Sequence, residues 1–146
     1  MKKIHSLSGS DLARKIRSRD ISSVEAVEHF IARIENLDPE LNAVIVRDFD
    51  RAREAARKAD QAIAYIQKLY RIETKTRDDP PARRYDIRQN EAIPIIADIK
   101  KWMDKSLLTV VPSSQLGKAL TYLNNQWDRL TAYLEDGSYP IDNNVA

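Results

Sequence analysis

Acidic and amide side chains near the end of the chain have the residue types that bind divalent cations. Asp136 follows a helical stretch, and Asp142, Asn143 and Asn144 come shortly after it, beyond Pro140. Carboxylate and amide oxygens are common ligands of such ions. Asp is also frequent in turns, where its side chain bonds the nearby backbone. We therefore favour a turn role for Asp136 and Asp142 over a metal site.

Thiol and histidine chemistry find little support in this sequence. The 146 residues contain no cysteine, which excludes disulfides, thiol nucleophiles and thiolate metal sites. His5 and His29 lie far apart in the chain, and a zinc site needs more ligands than these two. We expect both histidines to be solvated. The scarcity of glycine, at three residues, argues against an active site built from loops.

The charge of the chain is nearly balanced, with 24 basic residues, 22 acidic residues and a net charge of +2. Such a balance does not by itself predict nucleic-acid binding. Acids interspersed among the basic side chains favour an ordinary solvated surface, with contact to phosphates as the alternative. The candidates for DNA contact are Arg83, Arg84, Arg88, Lys100, Lys101 and Lys118.

Two further features could serve DNA binding. Trp102 and Trp127 could stack on bases, but each lies on an apolar helical stripe, so we expect both to pack in the core. Residues 112–123 faintly resemble the second helix of a helix-turn-helix and would expose Lys118 and Thr121. Because a basic recognition surface is missing, this stays an alternative.

A long apolar stripe predicts the last helix. Its large side chains recur at alternating steps of four and three, which places them on one helical face. Ser113 or Ser114 is placed to cap the helix start, and we expect Gly137 to end the helix in a left-handed conformation. The stripe residues are Leu116, Leu120, Leu123, Trp127, Leu130 and Leu134.

The first part of the chain predicts two shorter helices and a connector. Residues 6–19 form a short amphipathic pattern. Ser22 and Glu25 make a capping box at the start of the second helix, and we expect Asp38-Pro39 to end it. The apolar run 41–46 fits a strand or a buried extended connector, and the absence of a second strand candidate nearby favours the connector.

The third helix begins near Phe49, and its apolar stripe changes from alanine to large residues near Ala62. The stripe keeps its phase, so one helix could join both halves of the chain. The polar segment 74–84 contains tandem prolines and predicts a loop. A fourth helix follows, with Pro94 at its start or at a kink in a longer helix from Arg84. The stripe of the third helix comprises Ala52, Ala56, Ala59, Ile63, Ile66 and Tyr70.

These patterns predict an all-α fold of four to five amphipathic helices with irregular packing. The long third helix crosses a seam between residues 1–63 and 64–146. No apolar run approaches the length of a membrane span, and no signal peptide is evident. We therefore expect a cytoplasmic protein with no membrane partner.

Residues 1–63 contain the run ISSVEAVEHFIARIENLDPELNAVIV at 21–46, followed by RAREAARKAD at 51–60. This run resembles the N-terminal helices of the amidase signature family. The resemblance implies an origin in enzymes that hydrolyse amides with a lysine and two serines. Those residues lie downstream in the family, and nothing in this chain corresponds to them. The segment is therefore expected to have no hydrolase activity.

Residues 64–146 contain a longer series of motifs in a fixed order. The motifs are Ile72-Glu73, Arg88-Gln89, VPSS at 111–114, LGKA at 116–119, NQW at 125–127, YLEDG at 133–137 and IDNN at 141–144. They resemble the C-terminal part of insertion-sequence-66 transposases. The resemblance implies an enzyme family that uses three carboxylates to hold divalent metal ions for DNA strand cleavage and transfer.

In that family, two of the carboxylates lie upstream of the part present here. The third is a glutamate shortly after the Asp-Asn-Asn motif, and this sequence ends at Val145-Ala146. Asp142, Asn143 and Asn144 are thus motif positions next to a missing glutamate. We assign no catalytic, cofactor-binding or metal-binding residue and expect no cofactor, although the intact family would use Mg²⁺.

The combined expectation is a truncated, transposase-derived hybrid protein without catalytic activity. One alternative is a non-catalytic or partner-complemented transposase subunit that contacts DNA. Another is a helical protein-interaction module, or an amidase-derived fragment without hydrolase activity. The partners expected from these interpretations are DNA, a longer transposase chain, and further copies of this chain bound through exposed apolar surface.

Overall fold

The computed structural model describes residues 4–142 of the chain. These residues form helices and turns without a β-strand, which confirms the all-α prediction. None of the described helices is both long enough and apolar enough to cross a membrane. The α-helices are α1 (Gly9–Arg17), α2 (Ser23–Leu41), α3 (Phe49–Lys75), α4 (Pro81–Ile87), α5 (Ile93–Leu107), α6 (Gln115–Asn125) and α7 (Trp127–Thr131). Short 3₁₀ turns occur at Ile4–Ser6 and Ala132–Leu134, and a π-helical turn at Arg88–Ala92 joins α4 to α5.

Two compact units divide the chain, the first extending to Ile63 and the second beginning at Ala64. The predicted long third helix is present as α3, which runs without interruption from Phe49 to Lys75. Each unit buries apolar side chains of its own. These include Ala26, Ile31 and Ala56 in the first unit, and Leu69, Ile72, Ala92, Ile99, Met103 and Leu120 in the second.

Local side-chain hydrogen bonds set the helix starts of the first unit. Ser8 caps α1 by accepting a hydrogen bond from the Asp11 amide at 3.1 Å. The predicted capping box of α2 is present: the Glu25 amide donates to Ser22 Oγ at 3.0 Å, and the Ser22 amide donates to the Glu25 carboxylate at 2.7 Å. The bond from the Ser22 amide is the main reason that the pKa of Glu25 is lowered. The Asp60 carboxylate accepts two further amides of the same helix start.

The end of α2 differs from the prediction. The helix passes through Pro39 and ends at Leu41. Proline there removes one hydrogen-bond donor but does not stop the helix, because it lies in the last turn. The helix ends where Asn42 takes a left-handed conformation with φ of 48° and donates its amide to the Asp38 carbonyl at 2.7 Å.

The buried Asp38 side chain shapes the connector that follows α2. Its Oδ1 accepts the amides of Ala43 and Val44 at 2.8 and 2.9 Å, and its Oδ2 accepts from Arg47 Nη2 at 2.6 Å. The connector is therefore braced from inside, without forming a strand. The prediction that it is buried is wrong, because Ile45 is 94% exposed.

The two histidines lie side by side and are half-buried, whereas the sequence predicts two solvated side chains. His5 Nδ1 and His29 Nε2 are 3.0 Å apart, and their ring planes are within 7° of parallel. The 3₁₀ turn that carries His5 packs on α2. The pair therefore joins these two elements, which their separation in the sequence does not reveal.

In the second unit, α3 turns a different face to the core than the stripe predicts. Ile66 and Tyr70 lie largely at the surface, whereas Leu69 and Ile72 are buried and Tyr65 packs against them. The buried residues of α3 are Ala56 in its first half and Leu69 and Ile72 in its second half. The inward face of the helix therefore does not keep the predicted phase.

The predicted loop at 74–84 is shorter in the structure. α3 continues to Lys75, and α4 begins at Pro81 with Pro80 as its N-cap. Proline is tolerated at the first helical position because its missing amide would have no partner there. α4, the π turn and α5 follow one another directly, so the longer of the two predicted fourth helices is the one observed, with Pro94 inside it.

The predicted last helix is interrupted. Gln126 leaves helical geometry, with φ of −104° and ψ of 11°, and α7 restarts at Trp127. The predicted N-cap is Ser114, whose Oγ accepts the Gly117 amide at 3.0 Å. Trp127 packs against the core of this unit, as predicted for a core residue. Trp102 is half-buried, and its ring lies 6.3 Å from that of Tyr65.

Candidate functional site

Arg88 has no exposed surface, and its guanidinium is surrounded by acceptors. Nη1 donates to the carbonyl oxygens of Tyr133 at 2.7 Å and Asp136 at 2.8 Å. Nη2 donates to the Tyr139 carbonyl at 2.9 Å and to the Glu73 carboxylate at 2.7 Å, and Nε donates to the other Glu73 oxygen at 2.9 Å. Every N–H of the guanidinium therefore has an acceptor. We call these five residues the Arg88 clamp.

The π-helical turn lets two consecutive side chains reach the same segment. Arg88 opens the turn, and the next residue, Gln89, donates from Nε2 to the Leu134 carbonyl at 2.9 Å. On a regular helix, neighbouring side chains point about 100° apart. A π-helical turn changes the directions of the side chains within a helix, and such turns are frequent at functional sites.

Gly137 allows the clamped segment to lie directly on α4. A Cβ at this position would overlap the Pro81 carbonyl oxygen and lie 2.9 Å from the Tyr85 amide nitrogen, so no side chain fits. The prediction that Gly137 ends a helix in a left-handed conformation is wrong, because no described glycine has positive φ. Glycine is required here for close approach of two backbones.

The aromatic ring of Tyr133 completes the clamp. The Arg88 Cζ lies 5.0 Å from the centre of this ring, in the range of a cation–π interaction. Burial, together with the charge of Glu73, raises the pKa of Tyr133 to about 12. The phenol is therefore neutral near pH 7. Its buried hydroxyl has no hydrogen-bond partner among residues 4–142.

Asp136 takes the turn role that the sequence predicts. Its Oδ1 accepts hydrogen bonds from the amide and the hydroxyl of Ser138, both at 2.7 Å. The hydroxyl bond and then the amide bond lower the pKa of Asp136. Since its carbonyl also binds Arg88, this residue anchors the turn from both its main chain and its side chain.

Asp142 accepts a hydrogen bond from the Tyr70 hydroxyl, and this bond is the main reason that the pKa of Tyr70 rises to about 12. It also lines a cavity of about 360 Å³ together with Arg129, Tyr133 and Tyr139. No group of three His, Asp or Glu side chains that could hold a metal ion occurs in the described part of the chain. The other two motif positions, Asn143 and Asn144, lie outside the described residues.

Arg88 is not available to DNA, which corrects its place among the predicted contacts. Its charge and all its donors are used inside the second unit. The carbonyl acceptors come from residues 133–139, far along the chain. Their proximity is therefore a property of the fold and cannot be read from local charge.

The other predicted DNA contacts lie on helix surfaces. Most of them have a nearby acid, as the interpretation of an ordinary solvated surface expects. Arg83 is 3.6 Å from Asp79, Lys100 is 2.5 Å from Asp104, and Lys101 is 4.0 Å from Asp98. Arg84 is half-buried and its Nε has no partner among the described residues, whereas Lys118 is exposed on α6.

Sequence reasoning missed the clamp, although the residues around it belong to the transposase-like motifs. Glu73, Arg88 and Gln89 stand in two of these motifs, and Gly137 closes the YLEDG motif. A buried role for Arg88 could have been inferred from its place between apolar positions of one helix. The carbonyl acceptors carry no sequence signal, because every residue has one.

The family model described as the Transposase IS66 family matches residues 42–146, a range that contains the whole Arg88 clamp. The chain belongs to the IS66 transposase family. The match begins at residue 42, whereas the transposase-like motifs predict a start near residue 64. No solved structure gives a significant match.

Curated relatives match shorter stretches. The A subunit of glutamyl-tRNA(Gln) amidotransferase from Moraxella catarrhalis is 43% identical over 61 residues, which is 42% of this chain and 12% of the relative. Its counterpart in a Marinomonas species is 51% identical over 51 residues, or 35% and 10%. The protein y4jD of Sinorhizobium fredii is 26% identical over 88 residues, or 60% and 17%. The chain thus spans less than a fifth of each of these relatives.

Proposed function

We propose that the second unit is a structural part of an IS66-type transposase, in which it fixes the path of residues 133–142. The observation that carries this proposal is the Arg88 clamp. One buried guanidinium holds three carbonyls of this segment and is itself held by Glu73. Charge-assisted bonds of this kind are about twice as strong as neutral ones, and the planar guanidinium also imposes direction.

The clamped segment is the one that leads to the Asp-Asn-Asn motif. In the family that the sequence resembles, a metal-binding glutamate follows this motif. A rigid support before that position would place the carboxylate without spending binding energy on ordering the chain. Gly137 serves the same purpose, because it lets the segment rest on the backbone of α4.

We further propose that this chain does not cut or join DNA by itself. Both aspartates of the segment serve other bonds, Asp136 in a turn with Ser138 and Asp142 with Tyr70. The first unit fits an origin in amidase-type helices without hydrolase activity, supported by the 61-residue similarity to the amidotransferase chain. The whole is then a transposase-derived hybrid located in the cytoplasm.

The test uses the purified chain, Mg²⁺ or Mn²⁺, and labelled DNA duplexes that carry the terminal repeats of an IS66 element. We expect neither nicked nor joined products. A full-length IS66 transposase is the positive control, and a reaction with chelator is the blank. Metal-dependent products from the wild-type chain would contradict the proposal, and their loss in Asp142→Asn would assign this residue to the reaction.

A second candidate function is a subunit that contacts DNA while a longer transposase supplies the chemistry. It is favoured by Lys101, whose side chain is 81% exposed, and by the exposed Lys118. DNA retention that weakens with salt and falls in Lys101→Glu/Lys118→Glu would support it. A chain that neither retains DNA at low salt nor co-purifies with a full-length IS66 transposase would rule it out.

A further inference from the structure

An exposed apolar stripe runs along α2 in the first unit. Phe30, Ile34, Leu37 and Leu41 are separated by four, three and four residues, so they lie within about 60° on one side of the helix. Phe30, Leu37 and Leu41 are exposed, and Leu41 retains 68% of its surface. A stripe with this spacing is the kind that packs against another helix.

The stripe continues into the connector after α2. Ile45 and Val46 are exposed there, although Asp38 and Arg47 brace the connector from inside. A braced loop holds its apolar side chains in water instead of letting them fold away. Contiguous apolar surface of this kind marks an interaction site. We call Phe30, Ile34, Leu37, Leu41, Ile45 and Val46 the α2 stripe.

Two opposite charges border the α2 stripe on one side. Arg33 and Glu40 are seven residues apart, which is two helical turns, and both are exposed. Neither forms an ion pair with another residue between 4 and 142. On the other side of the stripe, Ile31 and Asp38 are buried within the first unit. The free face of the helix is therefore apolar along its middle and charged along one edge.

This edge is complementary to itself when two copies pack in opposite directions. A two-fold axis near the middle of the stripe brings Arg33 of each copy to Glu40 of the other. The same operation places Phe30 against Leu41 of the second copy and Ile34 against Leu37. Parallel packing in register would instead place the two charged edges on opposite sides of the pair, so Arg33 and Glu40 would not meet across the seam. The charge pattern thus selects both the partner and its direction.

We propose that the α2 stripe is the docking surface for a second copy of this chain, bound antiparallel through α2. This inference does not depend on the proposed function, since it uses only the first unit. The stripe exposes on the order of 500 Å² per copy, less than the roughly 800 Å² per partner of a standard interface. We therefore expect a reversible dimer with a dissociation constant on the order of 10 μM.

Sedimentation equilibrium of the full chain tests the surface, over concentrations from about 1 to about 200 μM around the expected constant. The wild-type chain should shift from monomer to dimer across this range. Leu37→Glu should weaken the dimer by at least about tenfold, because it places a charge in the seam. Leu108→Glu is the matched control, because Leu108 is 86% exposed in the second unit and should leave the dimer unchanged. Circular dichroism confirms that both variants fold.

Charge exchange tests the direction. Arg33→Glu and Glu40→Arg should each weaken the dimer, since each sets like charges together at both ends of the seam. A mixture of these two variants should restore dimers, as should the double variant in one chain. A wild-type chain that stays monomeric, or a Leu37→Glu variant that dimerises normally, would overturn the docking surface. Single variants that the mixture fails to rescue would overturn the antiparallel arrangement.

Discussion

Replacing Arg88 with Met is the sharpest perturbation of the second unit. Methionine can fill much of the space of the arginine stem but donates no hydrogen bond. The change leaves the Glu73 carboxylate without its partner and the carbonyls of Tyr133 and Tyr139 without donors. The Asp136 carbonyl loses one of its two donors and keeps the Tyr139 amide. It also removes the cation from the Tyr133 ring.

The expected loss is large relative to the stability of a domain of this size. Removing one member of a buried ion pair typically costs about 3–5 kcal/mol, because the remaining charge stays buried. Each buried carbonyl left unpaired would add about 1–3 kcal/mol if it could not reach water. Glu73 retains 14% exposure, and segment 133–139 can loosen toward solvent, so we expect about 4 kcal/mol in total.

Urea unfolding followed by tryptophan fluorescence measures this loss. Trp102 and Trp127 both belong to the second unit, so their emission reports on it alone. Hydrogen exchange should show faster exchange of the amides in 133–142 in the variant. Arg83→Met is the matched control, because its side chain is 70% exposed and its pair with Asp79 should contribute about 0–1 kcal/mol.

The double substitution Arg88→Met with Glu73→Leu distinguishes the energy of the Arg88–Glu73 ion pair from that of the hydrogen bonds between Arg88 and the carbonyls. If the buried ion pair dominates, the double variant should recover part of the loss of the single one, because no unpaired charge remains. The reasoning fails if Arg88→Met unfolds within about 1 kcal/mol of the wild type and the exchange of 133–142 is unchanged. The Arg88 clamp would then contribute little to the free energy of unfolding of the second unit.

Two further predictions concern single side chains. Gly137→Ala should destabilise the second unit by more than about 2 kcal/mol in a urea titration, because the new Cβ would overlap the Pro81 carbonyl. Gly9→Ala is the control and should be close to neutral, because the space around Gly9 is open. The hydrogen bonds from Arg47 and from the amides of the connector lower the pKa of Asp38. The ionised Asp38 carboxylate therefore stabilises the fold above the unfolded-state pKa of about 3.9, and this stabilisation is lost as the pH falls through the lower folded-state pKa. The difference in urea midpoint between wild type and Asp38→Asn, followed by far-UV circular dichroism, should therefore narrow below about pH 4; a difference that is constant with pH would contradict this.

The helix caps and the turn at Asp136 were predicted correctly because their hydrogen bonds join residues within one helical turn. The capping box of Ser22 and Glu25, the N-cap at Ser114 and the turn at Asp136 each need only residues up to three positions apart. The physical reason is that an unpaired amide at a helix start is satisfied by the nearest side-chain oxygen. The start of α3 at Phe49 and the all-α fold follow from the same kind of periodic pattern.

Helix ends and inward faces were harder to predict, because packing decides them. Pro39 should have stopped α2, yet the helix continues to Leu41 because the Asp38 side chain secures the turn beyond it. The stripe through Ile66 should have faced the core, yet Leu69 does so. The spacing of apolar residues predicts that a helix has an apolar face, but contacts with neighbouring elements determine which of its residues are buried.

The sequence by itself determined the helical class of the chain, the capped helix starts and the order of motifs that marks it as a transposase relative. Only the tertiary structure decided what Arg88, Gly137 and His5 do. The sequence suggests that Arg88 is a surface cation, because it shows the charge of the side chain. It does not show the carbonyl groups that enclose Arg88, because these belong to the backbone of residues 45 to 51 positions away. Gly137 looks like a helix end, although its use is the contact with Pro81. Functions that depend on backbone atoms meeting across the fold become visible only once the chain is folded.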